Sequence, residues 1–189
     1  GSIGGKARGL AFLNSLIYKH LLSERYPGIK VSIPRTIVVT TDYFDQFILE
    51  NDLQYVIDSE ITDEEVLSEF VSSRLPEELV EQLRVYVNTA RSPLAVRSSS
   101  KLEDSSYQPF AGVYSTYMIP LVENKDQMLR MLEKAIKSVY ASVFYNGSRT
   151  YIQTTANLLS EEKMAVVIQS ICGSEQNGLY YPLMSGVAR

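Results

Sequence analysis

Leu10, Leu13, Ile17 and Leu21 recur at helical spacing, so the first clear element is an amphipathic helix over residues 6–24, preceded by Gly4-Gly5. Tyr26-Pro27-Gly28 signals a turn, and the β-branched run Thr36–Thr40 reads as a strand whose start is restrained by Pro34. Asp42 suits the N-cap of a short helix to Glu50, and residues 51–62 show no period. Thr62 or Asp63 caps a helix through Ser73, and Pro76 suits the first turn of another to about Thr89. "PLAVR" at 93–97 is a short buried strand, the segment from Ser98 to Pro109 a polar loop, and residues 112–120 alternate as a strand. Met128, Leu132, Ala135, Val139 and Val143 mark one face of a helix over 125–145, with Gly147 as a stop or bend and a further helical segment after it. "KMAVVIQSI" and "GLYYPLM" complete the set as two strands joined by the Gly173–Gly178 region. Helices and strands intermix without strict alternation, which predicts an α+β (mixed α/β) domain.

Composition narrows the class. The chain has 189 residues, of which 45% are apolar and 21% charged, as expected of one folded soluble domain. The net charge of −4 gives no broad basic surface for nucleic acid. No apolar run approaches the length that crosses a bilayer, and no secretory leader opens the chain. The single cysteine, Cys172, excludes an intrachain disulfide framework; it fits a reducing, cytoplasmic setting and reads as a buried small hydrophobe. The opening Gly1-Ser2 and the close at Arg189 suggest an excised piece.

Several positions have residue types suited to chemistry. Gly4-Gly5-Lys6 stands at a helix start, where unpaired N–H groups and the helix dipole favour an anion and the lysine adds a mobile charge. It is no Walker A motif, since the upstream glycine is missing and Ala7 follows the lysine. Arg97 closes a strand ahead of three serines and can offer a planar fork to a phosphate. Gly112 permits close approach of backbone to a ligand, with Thr116 on the strand that follows. Gln169 ends an apolar strand, a place from which backbone groups can meet a planar base. Plainer roles suit the same residues: a solvated lysine, a salt bridge from Arg97 to Glu103 or Asp104, and a strand terminus at Gln169. One histidine, His20, and one cysteine exclude a Cys/His metal site, and His20 reads as a surface or partly packed residue.

"GGKARGLAFL", "IPRTIVVTTDYFDQF", "VRSSSKLEDSSYQPFAGVYSTY", "AVVIQSI" and "GLYYPLMSGVA" follow one another in an order that resembles the N-terminal nucleotide-binding domain of phosphoenolpyruvate synthase and pyruvate phosphate dikinase. Rifampicin phosphotransferase shares that domain. The resemblance covers nearly the whole chain, and its arginine-to-Phe-Ala-Gly segment is the most specific part. It implies the N-terminal part of an ATP-grasp-like domain over residues 1–189, cut short at its C-terminal end. Lys6 and Arg97 would contact phosphates, Gly112 and Thr116 would lie on a loop over the triphosphate, and Gln169, with Ile171 beside it, would stand next to adenine.

The resemblance also implies ATP and Mg²⁺ as cofactors, with the metal-holding carboxylates beyond Arg189. Phosphate would pass to a histidine on a separate swivelling domain and then to pyruvate or another acceptor on a further domain of the parent chain. A piece lacking those parts is expected to be inactive alone. The alternative is a non-catalytic nucleotide-sensing or protein-interaction module that keeps the fold.

Overall fold

A computed structural model describes residues 1–100, 114–154 and 163–186. The elements in chain order are α1 (Gly4–Lys19), α2 (Leu22–Arg25), β1 (Thr36–Val39), α3 (Thr41–Glu50), α4 (Gln54–Asp58), α5 (Asp63–Ser72), α6 (Glu77–Asn88), β2 (Leu94–Ser100), β3 (Thr116–Ile119), α7 (Lys125–Ser142), α8 (Asn146–Thr154), β4 (Met164–Ser170), β5 (Ser174–Gln176) and β6 (Leu179–Tyr181). The mixture of helices with an antiparallel sheet is the α+β class that the pattern predicts.

Four strands form one antiparallel sheet in the order β1-β4-β2-β3. Side chains alternate between its faces. Val39, Leu94, Val96, Ile119, Met164, Val166 and Ile168 all enter the hydrophobic core on one face. Helix α7 fills that core, with Met128, Leu132, Ile136, Val139 and Tyr140 fully buried. Its apolar face is the one legible in sequence, and Asn124 caps its start by accepting from the Gln127 N–H at 3.0 Å. Phe44 and Phe47 pack on Tyr140, Phe44 edge-on to its ring at 5.0 Å between centroids, and Phe70 and Phe144 extend the cluster behind them.

Local signals explain the helix boundaries. Thr62 and Glu65 form a reciprocal capping box at the start of α5, and the backbone hydrogen bond from Thr62 holds the Glu65 carboxyl below its ordinary range. At the other end of α5, the Lys137 ammonium donates to the Val71 and Ser73 carbonyls at 2.6 and 3.0 Å. Partial burial pushes that ammonium's pKa down. The Tyr26–Ile29 turn has Pro27 second and Gly28 third at φ +83°, the arrangement of a type II turn.

Several expectations need correction. The first helix begins two residues early and breaks at Leu21, whose φ of +48° lies in the left-handed region and ends α1 before α2 begins. Its leucine stripe is not core: Leu13 and Leu21 are exposed, and only Gly4, Gly5 and Ala7 of α1 are buried. Thr40, not Asp42, occupies the N-cap of α3, and Pro76 stands at the N-cap of α6 rather than inside its first turn. A one-turn helix, α4, lies in the stretch without a period. Gly147 sits inside the first turn of α8 and stops nothing. The segment 178–184 supplies only the short β6, which pairs with β5 across Asn177-Gly178, both at positive φ as a tight hairpin turn demands. Cys172 lies past the end of β4 and is exposed, so it is no core residue.

The Tyr140 hydroxyl is fully buried with no hydrogen-bond partner among the described residues, and burial drives its pKa strongly upward. An unpaired buried hydroxyl costs roughly 1–3 kcal/mol. Tyr140→Phe is therefore expected to stabilise the protein by about 1 kcal/mol, seen as a higher urea midpoint at unchanged slope. A lower midpoint would show that the hydroxyl is satisfied.

Candidate functional site

The face of the sheet opposite α7 is open only in part: Ser99, Ala165 and Val167 on it are fully buried and Ala95 nearly so, with the first turn of α1 bonded to Ser99. Two rows of side chains cross it. Thr36, Gln169, Ala95 and Met118 are aligned across β1, β4, β2 and β3, and Val38, Val167, Arg97 and Thr116 form the neighbouring row. Rows on one face lie roughly 7 Å apart along a strand. Arg97 and Thr116 are thus direct cross-strand neighbours, and Gln169 is one row away toward the other end of the sheet. Met118 is 65% exposed, Thr116 is exposed, and Arg97 and Gln169 are half-buried, so this part of the face meets solvent.

Gln169 lies in β4, which pairs on one side with β1 and on the other with β2. Its backbone therefore serves the sheet, and the group it carries on the face opposite α7 is its carboxamide. That carboxamide donates through Nε2 to Thr36 Oγ1 at 3.0 Å. Ile171 continues the same edge-to-edge bonding, giving its backbone N–H to the Pro93 carbonyl at 2.9 Å.

The polar run after Arg97 is not a loop from its start. Ser98, Ser99 and Ser100 complete β2, paired with Val166, Ala165 and Met164, and all three are buried. Ser98 and Ser99 point to opposite sides of the strand, and the first turn of α1 meets both. The Ser99 hydroxyl donates to the Ile3 carbonyl at 2.9 Å and accepts the Ala7 N–H at 3.2 Å, so it bonds both groups of the first helical turn's closing pair. The Lys6 ammonium donates to Ser98 Oγ at 3.3 Å, at the Arg97 end of β2 but on the other side of the strand from the Arg97 side chain.

Gly4 explains why glycine begins this motif. Its φ is +69°, and a Cβ there would lie 1.7 Å from the Ser99 carbonyl oxygen. The glycine therefore lets α1 press against β2 and sets the position of Lys6.

A cavity of about 440 Å³ adjoins the face, between α1 and the strand entry, lined by Ala7, Leu10, Asn14, Pro34, Thr36 and Val38 among others. Gly112, together with the Glu103–Asp104 pair offered as a partner for Arg97, lies outside the described residues. Among the described residues no group of three His, Cys, Asp or Glu side chains is placed to hold a metal ion. His20 is exposed at the C-cap of α1. No helix among the described residues is long and apolar enough to cross a membrane.

The whole chain, residues 1–189, matches the family model described as "Pyruvate phosphate dikinase, AMP/ATP-binding domain". The chain belongs to this family. Among curated proteins, the chain is 29% identical over 149 residues to YvkC of Bacillus subtilis (strain 168), described as an uncharacterized phosphotransferase. The match covers 79% of this chain and 17% of that relative, so the chain spans a small part of the relative's length. The serine after Arg97 was legible as polar, but its role as the anchor for α1 was not. The signal was the pairing of "GG" with "SSS" far along the chain, which only the folded contact reveals.

If Gly4 holds α1 against β2, Gly4→Ala should destabilise the protein by about 2 kcal/mol or more, because left-handed backbone and a clash with main chain act together. Ser99→Ala should cost about 1 kcal/mol by removing the buried hydroxyl's hydrogen bonds to the first turn of α1. Urea unfolding of the two variants checks both, and a Gly4→Ala midpoint equal to that of the parent would refute the tight contact.

Proposed function

We propose that this chain binds ATP on the open sheet face and holds it for phosphoryl transfer. The observation that carries the reading is the placement of Arg97 beside Thr116, one row from Gln169, with Lys6 brought to the same end of β2. Row one offers a small residue, Ala95, and an exposed thioether, Met118, as a platform for a planar base, with a carboxamide at its edge. Row two offers a guanidinium, which grips phosphate oxygens with paired N–H donors, and a hydroxyl. Lys6 would leave Ser98 and swing round the strand to a phosphate oxygen, exchanging a neutral hydroxyl acceptor for an anionic one. Gly112 joins the site in this reading as part of a loop over the triphosphate, and Ile171 as a neighbour of the base.

These residues suit ATP, and their work is to bind, orient and neutralise. ATP itself supplies the phosphoryl group and the leaving group. Arg97 and Lys6 stabilise negative charge as it redistributes over the phosphate oxygens. In the full reaction a P–O bond of ATP breaks and an N–P bond forms to a histidine on a separate domain. The phosphate then passes to an acceptor such as pyruvate on a further domain. His20, exposed at the end of α1, is not that histidine in this reading. The domain is read as half of an ATP-grasp-like fold that works in the cytoplasm. Mg²⁺ belongs to the same reading, with its carboxylate ligands beyond Arg189.

Titration calorimetry on the full-length protein tests the site. ATP should bind, and at a hundred times its Kd should stabilise the fold by about 2.7 kcal/mol. Arg97→Ala should weaken ATP at least about tenfold and AMP much less, since the loss is of a charge-assisted contact to the phosphate chain. Lys6→Ala should act in the same direction. Equal affinities of parent and both variants for ATP would overturn the assignment, and the absence of any ATP or AMP binding would favour an interaction module.

A further inference from the structure

Resting on that nucleotide-site reading, we propose that Thr36 is a positioning residue that fixes the Gln169 carboxamide in one orientation and makes the site select a 6-amino purine over a 6-keto purine.

The argument is one of donors and acceptors. The Thr36 hydroxyl lies 2.8 Å from the Pro34 carbonyl oxygen and 3.0 Å from the Gln169 amide nitrogen. A carbonyl only accepts, so the single hydroxyl proton of Thr36 is committed to Pro34. Toward Gln169, Thr36 then has only lone pairs. The partner must be the NH₂ end of the carboxamide, which independently sets the amide's orientation. The other end, Oε1, is turned away from Thr36 as a fixed acceptor.

The relay has a rigid base. Thr36 and Gln169 are cross-strand partners in β1 and β4. Arg35, between the two relay members Pro34 and Thr36, is anchored twice. Its carbonyl accepts the Ser170 N–H at 2.9 Å, and its guanidinium donates to Thr89 Oγ1 at 2.8 Å while lying 4.8 Å from the centre of the Tyr86 ring. Proline has no N–H and a fixed φ, so the Pro34 carbonyl is held by restricted backbone. Rotating the carboxamide by half a turn would set its oxygen against the lone pairs of Thr36 and forfeit the 3.0 Å bond.

A fixed acceptor at the edge of the platform distinguishes two purines by charge alone. The 6-amino group of adenine donates to Oε1. The 6-keto oxygen of hypoxanthine or guanine meets it with another lone pair, so contact is lost and two acceptors face each other. Gln169 is only half-buried, which moderates the effect below that of a sealed pocket.

Inosine triphosphate is the direct probe, because it differs from ATP at the base edge in question and keeps the sugar and triphosphate. For the full-length protein, competition binding should show ATP preferred over ITP by about tenfold or more. In Thr36→Val, which keeps the β-branched shape but frees the carboxamide to turn, the preference should fall to about twofold with affinity for AMP-type phosphate contacts kept. Thr36→Ser keeps the hydroxyl and should restore the preference, a result that simple loss of packing would not give. Urea unfolding of each variant confirms an intact fold before comparison. Equal binding of ATP and ITP by the parent, or an undiminished preference in Thr36→Val, overturns the inference while leaving the nucleotide site standing. Binding of neither nucleotide by the parent overturns the site and the inference together.

Discussion

The fit of α7 against one face of the four-stranded sheet fixes everything on the other face. Strand side chains alternate, so burying Leu94, Val96, Ile119, Val166 and Ile168 against α7 delivers Ala95, Arg97, Met118, Thr116 and Gln169 to the opposite side. A slip of one residue in β2 would drive Arg97 into the core and turn Val96 to water. The apolar cost of that slip is several buried aliphatic side chains, each worth roughly 1.5–3 kcal/mol. The core thus specifies the register of the open face far more strongly than any contact on that face does.

The second constraint is the joint between α1 and β2. The two elements are more than ninety positions apart in sequence, as the Ser99-to-Ile3 bond records. A buried strand end with three serines would be expensive unless its hydroxyls were used. Ser99 is used twice by the first turn of α1, and Gly4 removes the side chain that would keep the two backbones apart. One arrangement therefore satisfies buried hydroxyl, helix N–H and backbone carbonyl together, and Lys6 is brought to the Arg97 end of β2 as a consequence. The remainder of α1 contributes little burial, which explains why its leucine stripe faces a cavity and solvent instead of the core.

Much of this was legible in the chain, and the limits have physical causes. The strand cores at 36–39, 94–97 and 164–170 and the buried face of α7 are long periodic signals that burial enforces. The serines after Arg97 looked like loop because polar residues rarely fill a buried strand, and the distant α1 supplies partners for Ser98 and Ser99 there. Thr40 rather than Asp42 stands at the N-cap position of α3, with no side-chain cap bond, and the Thr41 N–H goes to the Ser2 carbonyl at 3.0 Å, a contact with no local trace. The Asn177-Gly178 turn, by contrast, carried a strong local signal that the wider Gly173–Gly178 grouping obscured. For the site, types of residue at Lys6, Arg97, Thr116 and Gln169 were readable, while their shared rows depend on strand pairing that no local pattern encodes. Thr36 escaped notice altogether, since a threonine in a β-branched run looks like any strand former.

The open face constrains how such a site must operate. A pocket for a nucleotide buries most of its ligand, yet the described strands form a single wall, with Met118 65% exposed beside the proposed base position. A base laid on Ala95 and Met118 would keep its far side in water unless another surface closed over it. One wall supplies direction through Arg97 and Gln169, but it excludes little solvent, so the charged contacts act in a high dielectric and are weak. Closure by a second surface would strengthen the same contacts without moving them, because expelling water lowers the local dielectric around groups already placed. In such a site the sheet fixes where each group stands, and closure decides how much each is worth.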